Sequence, residues 1–293
     1  MGFERLAFGD FSHPSLNYRD DEEMVVATIE PPEPYWRRRA MIAELAAGLS
    51  SQAVNIEYSQ VENAVWAEVV AALDPLWEQH AASDVLESRD RLALPTERVP
   101  QLAEVNASLR TLTGFEFRAV PGLVPSVEFF GGLGRGLFSS TQYVRWEGSP
   151  LYTPEPDVIH EVFGHGNALA CPELAVLHRL AGRALERVVD ERSRQALANV
   201  FWFTAEFGVV RENDEVRACG AGLLSSVGEL ASFSDHADIH PINIREMATL
   251  GYDIDVYQPV LFAADSVAHV LDEAGGFFEA ATDESVAAII ASR

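Results

Sequence analysis

Two histidines lie five positions apart in the stretch YTPEPDVIHEVFGHG, residues 152–166. On a regular helix, residues five apart point about 140° away from each other. The histidines of the His-Glu-x-x-His zinc helix are instead four apart and share one face, so His160 and His165 do not match that motif. They can converge on one metal ion if the helix is distorted between them, and Gly164 gives the backbone freedom for such a distortion. The spacing alone leaves two interpretations open, a metal site or a buried polar cluster.

A metal site here would need a carboxylate as its third ligand. Two imidazoles and one carboxylate on one face of an octahedral ion leave three positions open, the arrangement that non-haem Fe(II) enzymes use. Glu206 is the candidate because it is the one carboxylate in the apolar, aromatic segment VFWFTAEFGVV. A buried carboxylate needs a cation or strong donors as partners, and a salt bridge to an arginine is the alternative. Asp157, three residues before His160, is placed to orient that histidine.

The composition predicts a globular protein that does not bind polyanions. The 293 residues include 45 Asp and Glu against 21 Lys and Arg, a formal net charge of -24, which repels nucleic acid and anionic membranes. The N-terminus lacks a signal peptide and no apolar stretch reaches membrane-spanning length, which predicts a cytoplasmic location. Cys171 and Cys219 are the two cysteines, and we expect free thiols in a reducing compartment.

The hydrophobic pattern indicates one mainly helical domain with minor strands. Residues 1–34 are polar and read as an N-terminal arm. The pattern from Tyr35 to about Ser83 is helical, with Val61, Val65, Val69 and Leu73 on one stripe, and Pro75 is expected to end or kink it. Alternation in FEFRAV predicts a short, half-buried strand.

The second half of the chain reads as helices joined by glycine-rich turns. The stretch VEFFGGLGRGLFSSTQYVRW is expected to form loops and turns, and its glycines do not make a phosphate-binding motif. Residues 173–200 have the spacing of one or two helices. The C-terminal tail is helical but is expected to break at Gly275-Gly276, so no assembly helix is evident and a monomer is expected.

Several segments together resemble the pterin-dependent aromatic amino acid hydroxylases, in particular the short bacterial type. They are, in the family's order, TGFEFRAVPGL, FFGGL, TQYVR, YTPEPDVIHEVFGH, WFTAEFG, GAGLLSS and YQPVLF. The resemblance is strongest over residues 108–270. It implies a mainly α fold with minor β (α+β), a single basket-like catalytic domain over residues 35–293, and Fe(II) bound by His160, His165 and Glu206.

The resemblance also implies the other residues of the site. Arg145 would pair with the substrate carboxylate, and the remaining substrate contacts would be Tyr152, Thr153, Pro156, Trp202, Phe207, Gly222 and Ser225. Phe129 would stack on a tetrahydropterin, which is tetrahydrobiopterin or a related pterin, and Glu161 would reach it through water. The other pterin contacts implied are Gly122, Val124, Ser126, Ala198 and Tyr252.

The expected activity is phenylalanine 4-monooxygenase, in which one atom of O2 enters the ring of L-phenylalanine and gives tyrosine. The alternatives within the family are 3-hydroxylation to meta-tyrosine and hydroxylation of tryptophan. Phe201 stands where better-known members carry Tyr, and Cys219 replaces a commonly aromatic residue, so both bear on substrate and ring position. Outside the family, a zinc hydrolase with the same ligands and an inactive, ligand-binding descendant are the other hypotheses.

Overall fold

The computed structural model describes residues 30–47, 55–254 and 256–292. Helices dominate, and the strands form small sheets, as the sequence predicts. The α-helices are α1 (Glu33–Ala47), α2 (Gln60–His80), α3 (Ser83–Leu92), α4 (Leu102–Leu112), α5 (Ser126–Gly134), α6 (Gly166–Ala170), α7 (Pro172–Arg187), α8 (Glu191–Phe201), α9 (Ala221–Ser225), α10 (Val227–Leu230), α11 (Phe233–His236), α12 (Ile244–Thr249), α13 (Val267–Val270), α14 (Gly276–Ala280) and α15 (Asp283–Ala291).

Three segments have π-helical hydrogen bonding, and six strands complete the fold. The π-helical segments are π1 (Ile159–His165), π2 (Trp202–Glu206) and π3 (Leu271–Gly275). The strands are β1 (Glu116–Ala119), β2 (Leu137–Ser140), β3 (Val209–Glu212), β4 (Glu215–Ala218), β5 (Asp238–Pro241) and β6 (Val260–Ala264). Strands β1 and β2 pair in parallel, and the second sheet has the order β4-β3-β6-β5 with an antiparallel β3–β4 pair.

Helix α2 confirms the predicted apolar stripe and corrects its ends. Ser59 caps the helix in a reciprocal capping box with Glu62, so the helix begins at Gln60 rather than continuing from α1. Val65, Val69 and Leu73 are buried as expected, whereas Val61 is 51% exposed. Pro75 does not end the helix, which continues to His80.

The glycine-rich stretch was expected to form loops and turns, and that prediction is wrong over most of its length. The stretch forms nearly all of α5 and the whole of β2, whereas its last residues, 141–146, are irregular as expected. Glycines allow α5 to lie against α7 at backbone distance, because a Cβ on Gly182 would lie 2.2 Å from the Gly134 nitrogen and 2.4 Å from the Phe130 oxygen. Tertiary packing therefore overrides the local preference of glycine for turns.

Further predictions concern the strand in FEFRAV, the C-terminal tail and the N-terminal arm. FEFRAV forms β1, with Phe117 and Ala119 buried. The predicted break at Gly275-Gly276 is wrong, since π3 leads directly into α14 and the chain turns extended only at Ala281. Residues 1–29 of the predicted N-terminal arm lie outside the described residues. Among the described residues, no helix has the length and apolar character that a membrane span requires.

Candidate metal centre and substrate cavity

The two histidines converge because the helix that carries them is π-helical. In π1 the hydrogen bonds join residues five apart, as from Gly166 N to Glu161 O, so side chains five apart lie on the same side. The distortion that the spacing requires is therefore present between His160 and His165. Gly164 allows α9 to approach, because a Cβ there would lie 2.8 Å from Ala221 O.

Glu206 comes to the same point from the end of π2. Its Oε1 lies 3.1 Å from His165 Nε2, and its Oε2 lies 3.8 Å from His160 Nε2. One ligand atom from each of the three residues lies within 4.8 Å of the other two. Neighbouring ligands of an octahedral ion, each about 2.1 Å from the metal, lie about 3 Å apart. The spacing of these side chains thus fits a single metal ion with little rearrangement.

The hydrogen bonding of Glu206 also fits the role of a metal ligand. Its Oε1 is buried and has no hydrogen-bond partner among the described residues. His165 Nε2 lies 3.1 Å from this oxygen, but the angles of the contact do not fit a hydrogen bond. The ion-pair contacts of Glu206 within the described chain are to the two histidines, so the structure does not supply the arginine of the alternative hypothesis. A buried carboxylate oxygen without a hydrogen bond, next to two imidazole nitrogens, is what a metal site requires of its ligand.

Burial keeps both histidines neutral, and it opposes the negative charge on Glu206. Burial lowers the pKa of His160 to about 4, with a smaller effect from His165, and burial alone lowers the pKa of His165 to about 3. Both imidazoles are therefore neutral at neutral pH, with lone pairs free for a metal. Burial raises the pKa of Glu206, and the nearby His160 and His178 offset this in part.

The ring of His160 is oriented by Ser225 rather than by Asp157. Ser225 Oγ donates to Ala221 O at 2.8 Å and lies 2.9 Å from His160 Nδ1. The hydroxyl oxygen therefore accepts from Nδ1–H, which leaves the Nε2 lone pair for the metal. Asp157 accepts a hydrogen bond from the backbone nitrogen of His160 at 3.2 Å, so it positions the main chain and not the ring.

Asp157 has a buried cationic partner in Arg145. Its Oδ2 accepts from Arg145 N at 2.8 Å and from Nε at 3.0 Å, and its Oδ1 accepts from Nη2 at 2.8 Å. The side chains are 3% and 0% exposed. One edge of the guanidinium is therefore occupied, and Nη1 makes only a long contact of 3.4 Å with Pro150 O.

A cavity of about 190 Å³ opens next to the candidate metal ligands His160 and Glu206. All of the predicted substrate contacts border it: Arg145, Tyr152, Thr153, Pro156, Trp202, Phe207, Gly222 and Ser225. The sequence reasoning missed other bordering residues, namely Leu151, Glu155, Ser226, Glu229, Ile254, Val256 and Tyr257. Of these, Glu229 could have been identified from the sequence. It is a lone acid in the apolar segment GAGLLSSVGEL, and the same feature identified Glu206.

Two narrower cavities, of about 20 and 10 Å³, also adjoin the candidate ligands. The first is bordered by Gly122, Val124, Phe129 and Glu161, together with both histidines. The second is bordered by Phe129, Ala198 and Tyr252, together with Glu206. Ser126 is buried at the start of α5 and borders neither of them. The structure thus brings all but one of the predicted pterin contacts to the ligand cluster.

A comparison with protein families identifies the family of this chain. Residues 15–283 match the model of the biopterin-dependent aromatic amino acid hydroxylases. The chain belongs to this family. It is 45% identical over 258 residues to phenylalanine 3-hydroxylase of Streptomyces coeruleorubidus, an alignment that covers 87% of this chain and 92% of that protein. It is 41% identical over 238 residues to the chloroplastic phenylalanine 4-monooxygenase of Chlamydomonas reinhardtii, covering 80% of this chain and 65% of that protein.

Solved structures of this hydroxylase family have the same fold. Phenylalanine hydroxylase of Chromobacterium violaceum, with bound iron(III) and oxidised 7,8-dihydrobiopterin, superposes with a TM-score of 0.74 at 28% identity, over 81% of this chain and 90% of that one. The basket-like catalytic domain that the resemblance implied is therefore confirmed.

Two residues depart from the pattern of better-known hydroxylases, and they occupy different places. Phe201 borders the smallest cavity and packs edge-on against Phe130 and His178, with ring centroids 5.1 and 5.3 Å apart. Cys219 is buried and borders none of the three cavities. Of the two departures, Phe201 alone adjoins the candidate site. Both cysteines are free thiols, as predicted.

Proposed function

We propose that this hydroxylase uses Fe(II), a tetrahydropterin and O2 to hydroxylate the ring of L-phenylalanine. The observation that carries the proposal is the cluster of His160, His165 and Glu206, which faces the large cavity and has an unpartnered carboxylate oxygen. Iron held by these side chains would supply the activation of O2, with the tetrahydropterin as electron donor. The iron(III) and dihydrobiopterin of the Chromobacterium violaceum structure support the same assignment.

The cavity has the chemistry that an aromatic amino acid requires. Trp202 and Phe207 form an apolar wall, with ring centroids 4.6 Å apart, on the side where Glu206 lies. Pro156 adds a rigid apolar surface. Arg145 supplies the positive charge for the carboxylate, and its pairing with Asp157 holds the guanidinium still. The ring would then lie against the ligand cluster and the charged end toward Arg145.

We place the pterin at the cavity of about 20 Å³ that borders both histidines. Phe129 and Glu161 border the gap there, and Glu161 is a buried carboxylate to which Thr141 N donates at 3.5 Å. Gly122 has no atom within 4 Å of where its Cβ would be, so the loop that carries it has room to adjust.

For the ring position, we place 3-hydroxylation ahead of the 4-hydroxylation that the sequence resemblance favours. The 3-hydroxylase of Streptomyces coeruleorubidus shares more identity with this chain than the 4-monooxygenase named above, and the alignment covers nearly all of it. Phe201 supports a difference from the usual para-hydroxylating enzymes, because it removes a phenolic hydroxyl from the neighbourhood of Glu206. A small rotation of the substrate ring is enough to change the carbon that faces the metal.

Product analysis tests this proposal. Fe(II)-loaded protein is incubated with tetrahydrobiopterin, O2 and L-phenylalanine, L-tyrosine or L-tryptophan, and the products are identified by mass spectrometry and NMR. We expect meta-tyrosine from L-phenylalanine. Para-tyrosine would restore the 4-monooxygenase, and three unchanged amino acids would refute the proposal. Turnover that depends on Zn(II) and consumes no pterin would favour the zinc hydrolase.

The setting of the enzyme stays a prediction from the sequence. We propose a monomer in a reducing cytoplasm, on the grounds of two buried free thiols and a net charge of -24. Light scattering of the purified protein measures its mass, and a dimer would contradict the first part.

A further inference from the structure

Glu229 is a buried carboxylate on the wall of the large cavity. It lies in α10, is 5% exposed, and borders the cavity together with Arg145. Its Oε1 accepts a hydrogen bond from Gln258 N at 2.8 Å. Within the described parts of the chain, this carboxylate forms no ion pair with Arg, Lys or His. Oε2 accepts no hydrogen bond from the described residues, so this second oxygen is available to a group in the cavity.

Residues 253–258 hold Glu229 in place through Gln258. Gln258 Oε1 accepts from Trp202 Nε1 at 2.9 Å, and Gln258 Nε2 donates to the carbonyl oxygens of Asp253 and Val256. Gln258 therefore links Glu229, through its backbone N–H, to Trp202 in the aromatic wall, through its side chain. Bracing of this kind needs one carboxylate oxygen and no negative charge, so it does not explain why the residue is an acid.

The other charged side chains of the cavity have partners. Arg145 is paired with Asp157, Glu155 with Arg39, and Glu206 lies with the two histidines. Glu229 is the acid left without a cation, and burial raises its pKa to about 7. An uncompensated buried carboxylate costs free energy, which a cationic ligand would recover.

We propose that Glu229 binds the α-ammonium group of the amino acid substrate while Arg145 binds its α-carboxylate. This rests on the proposed function, in which an aromatic amino acid occupies the cavity. The zwitterion then meets one buried charge of each sign, and its ring extends toward Trp202 and Phe207. The consequence is selection for amino acids over arylpropanoic acids, which have the same ring and carboxylate but no ammonium group.

Equilibrium binding tests the proposal without turnover. Calorimetry on Fe(II)-loaded protein under argon, without pterin, gives the affinities for L-phenylalanine and 3-phenylpropanoate. We expect wild-type protein to prefer the amino acid by about 10- to 100-fold, as for hydrogen bonds to a buried charge. Glu229→Gln retains an acceptor for Gln258 N and removes the charge, so the preference should fall to about three-fold or less. The affinity for 3-phenylpropanoate should not fall, which shows that the cavity is intact.

Two further variants, Glu155→Gln and Glu229→Asp, complete the test. Glu155→Gln removes the charge of a cavity carboxylate that already has a partner, and it should keep the wild-type preference. Glu229→Asp keeps the charge and should retain part of the preference. Equal affinities in the wild type, or an equal loss for both ligands in Glu229→Gln, would overturn the proposal. If the wild type binds L-tyrosine or L-tryptophan instead, the proposed substrate is wrong, and the same ratio measured with that amino acid and its arylpropanoate decides the role of Glu229.

Discussion

Replacement of Asp157 by asparagine should destabilise the protein strongly. Asp157 accepts hydrogen bonds from Arg145 N, Nε and Nη2 and from His160 N, and both charged side chains are almost inaccessible to solvent. An amide offers one acceptor oxygen, and its NH2 group would face donors. The guanidinium would stay buried without a counter-charge, because the described structure brings no second acid into contact with it.

The expected loss of stability follows from the burial of the Arg145–Asp157 pair. Removal of one partner of a buried pair costs about 3–5 kcal/mol, since solvent screening does not relieve the remaining charge. At about 2 °C per kcal/mol for a chain of this length, the melting temperature should fall by about 6–10 °C. Guanidinium denaturation and calorimetry of the metal-free proteins at pH 7 measure both quantities. The KM for L-phenylalanine should also rise, because Asp157 holds the guanidinium in place.

The double variant Arg145→Met, Asp157→Asn is the matched control. It removes both charges, so it should recover at least about half of the lost stability although it carries one more substitution. A loss below about 1 kcal/mol in Asp157→Asn would refute the reasoning, because only solvent-exposed pairs contribute so little. A double variant less stable than the single one would contradict it as well.

Three further predictions concern other contacts. Ser225→Ala frees the His160 ring and should weaken iron binding about 10- to 100-fold, measured by competition with a chelator; an unchanged affinity would show that Ser225 does not orient the ring. Gly182→Ala should cost about 1–3 kcal/mol of unfolding free energy, because the new methyl group meets the Gly134 backbone, and a neutral result would mean that α5 and α7 separate easily. Burial raises the pKa of Glu229 from 4.5 to about 7, so the native state keeps its proton when the unfolded chain has lost it. The stability that this protonation contributes, about 3 kcal/mol, is complete below pH 4.5 and lost as the pH rises through 7; a stability difference between metal-free wild type and Glu229→Gln that stays constant across this window would contradict it.

The ligand cluster could be predicted from residue types, but its geometry could not. A lone acid in an apolar segment marks Glu206, and the histidine spacing excludes the zinc-protease helix. Whether residues five apart converge depends on the π-helical form of π1, against which α9 packs closely at Gly164. That approach involves residues far along the chain, so local spacing does not contain it.

Predictions failed where tertiary packing opposes local preference. Gly132 and Gly134 prefer turns in isolation, yet they lie in α5, where β2 packs closely on the first and the backbone of α7 on the second. The contacts of Asp157 were misjudged because its strongest partner, Arg145, comes from a separate segment of the chain. Glu229 was missed although it had the signal that identified Glu206, because no motif drew attention to its segment.

The most direct test of the central claim is a reaction under 18O2. Fe(II)-loaded protein, tetrahydrobiopterin and L-phenylalanine are mixed under labelled oxygen, and His165→Ala serves as the inactive control. We predict one 18O atom in the ring hydroxyl of the tyrosine isomer formed, one pterin oxidised for each hydroxylation, and no product from the control. A hydroxyl group that carries oxygen from water, or product formed without oxidation of pterin, would contradict the account.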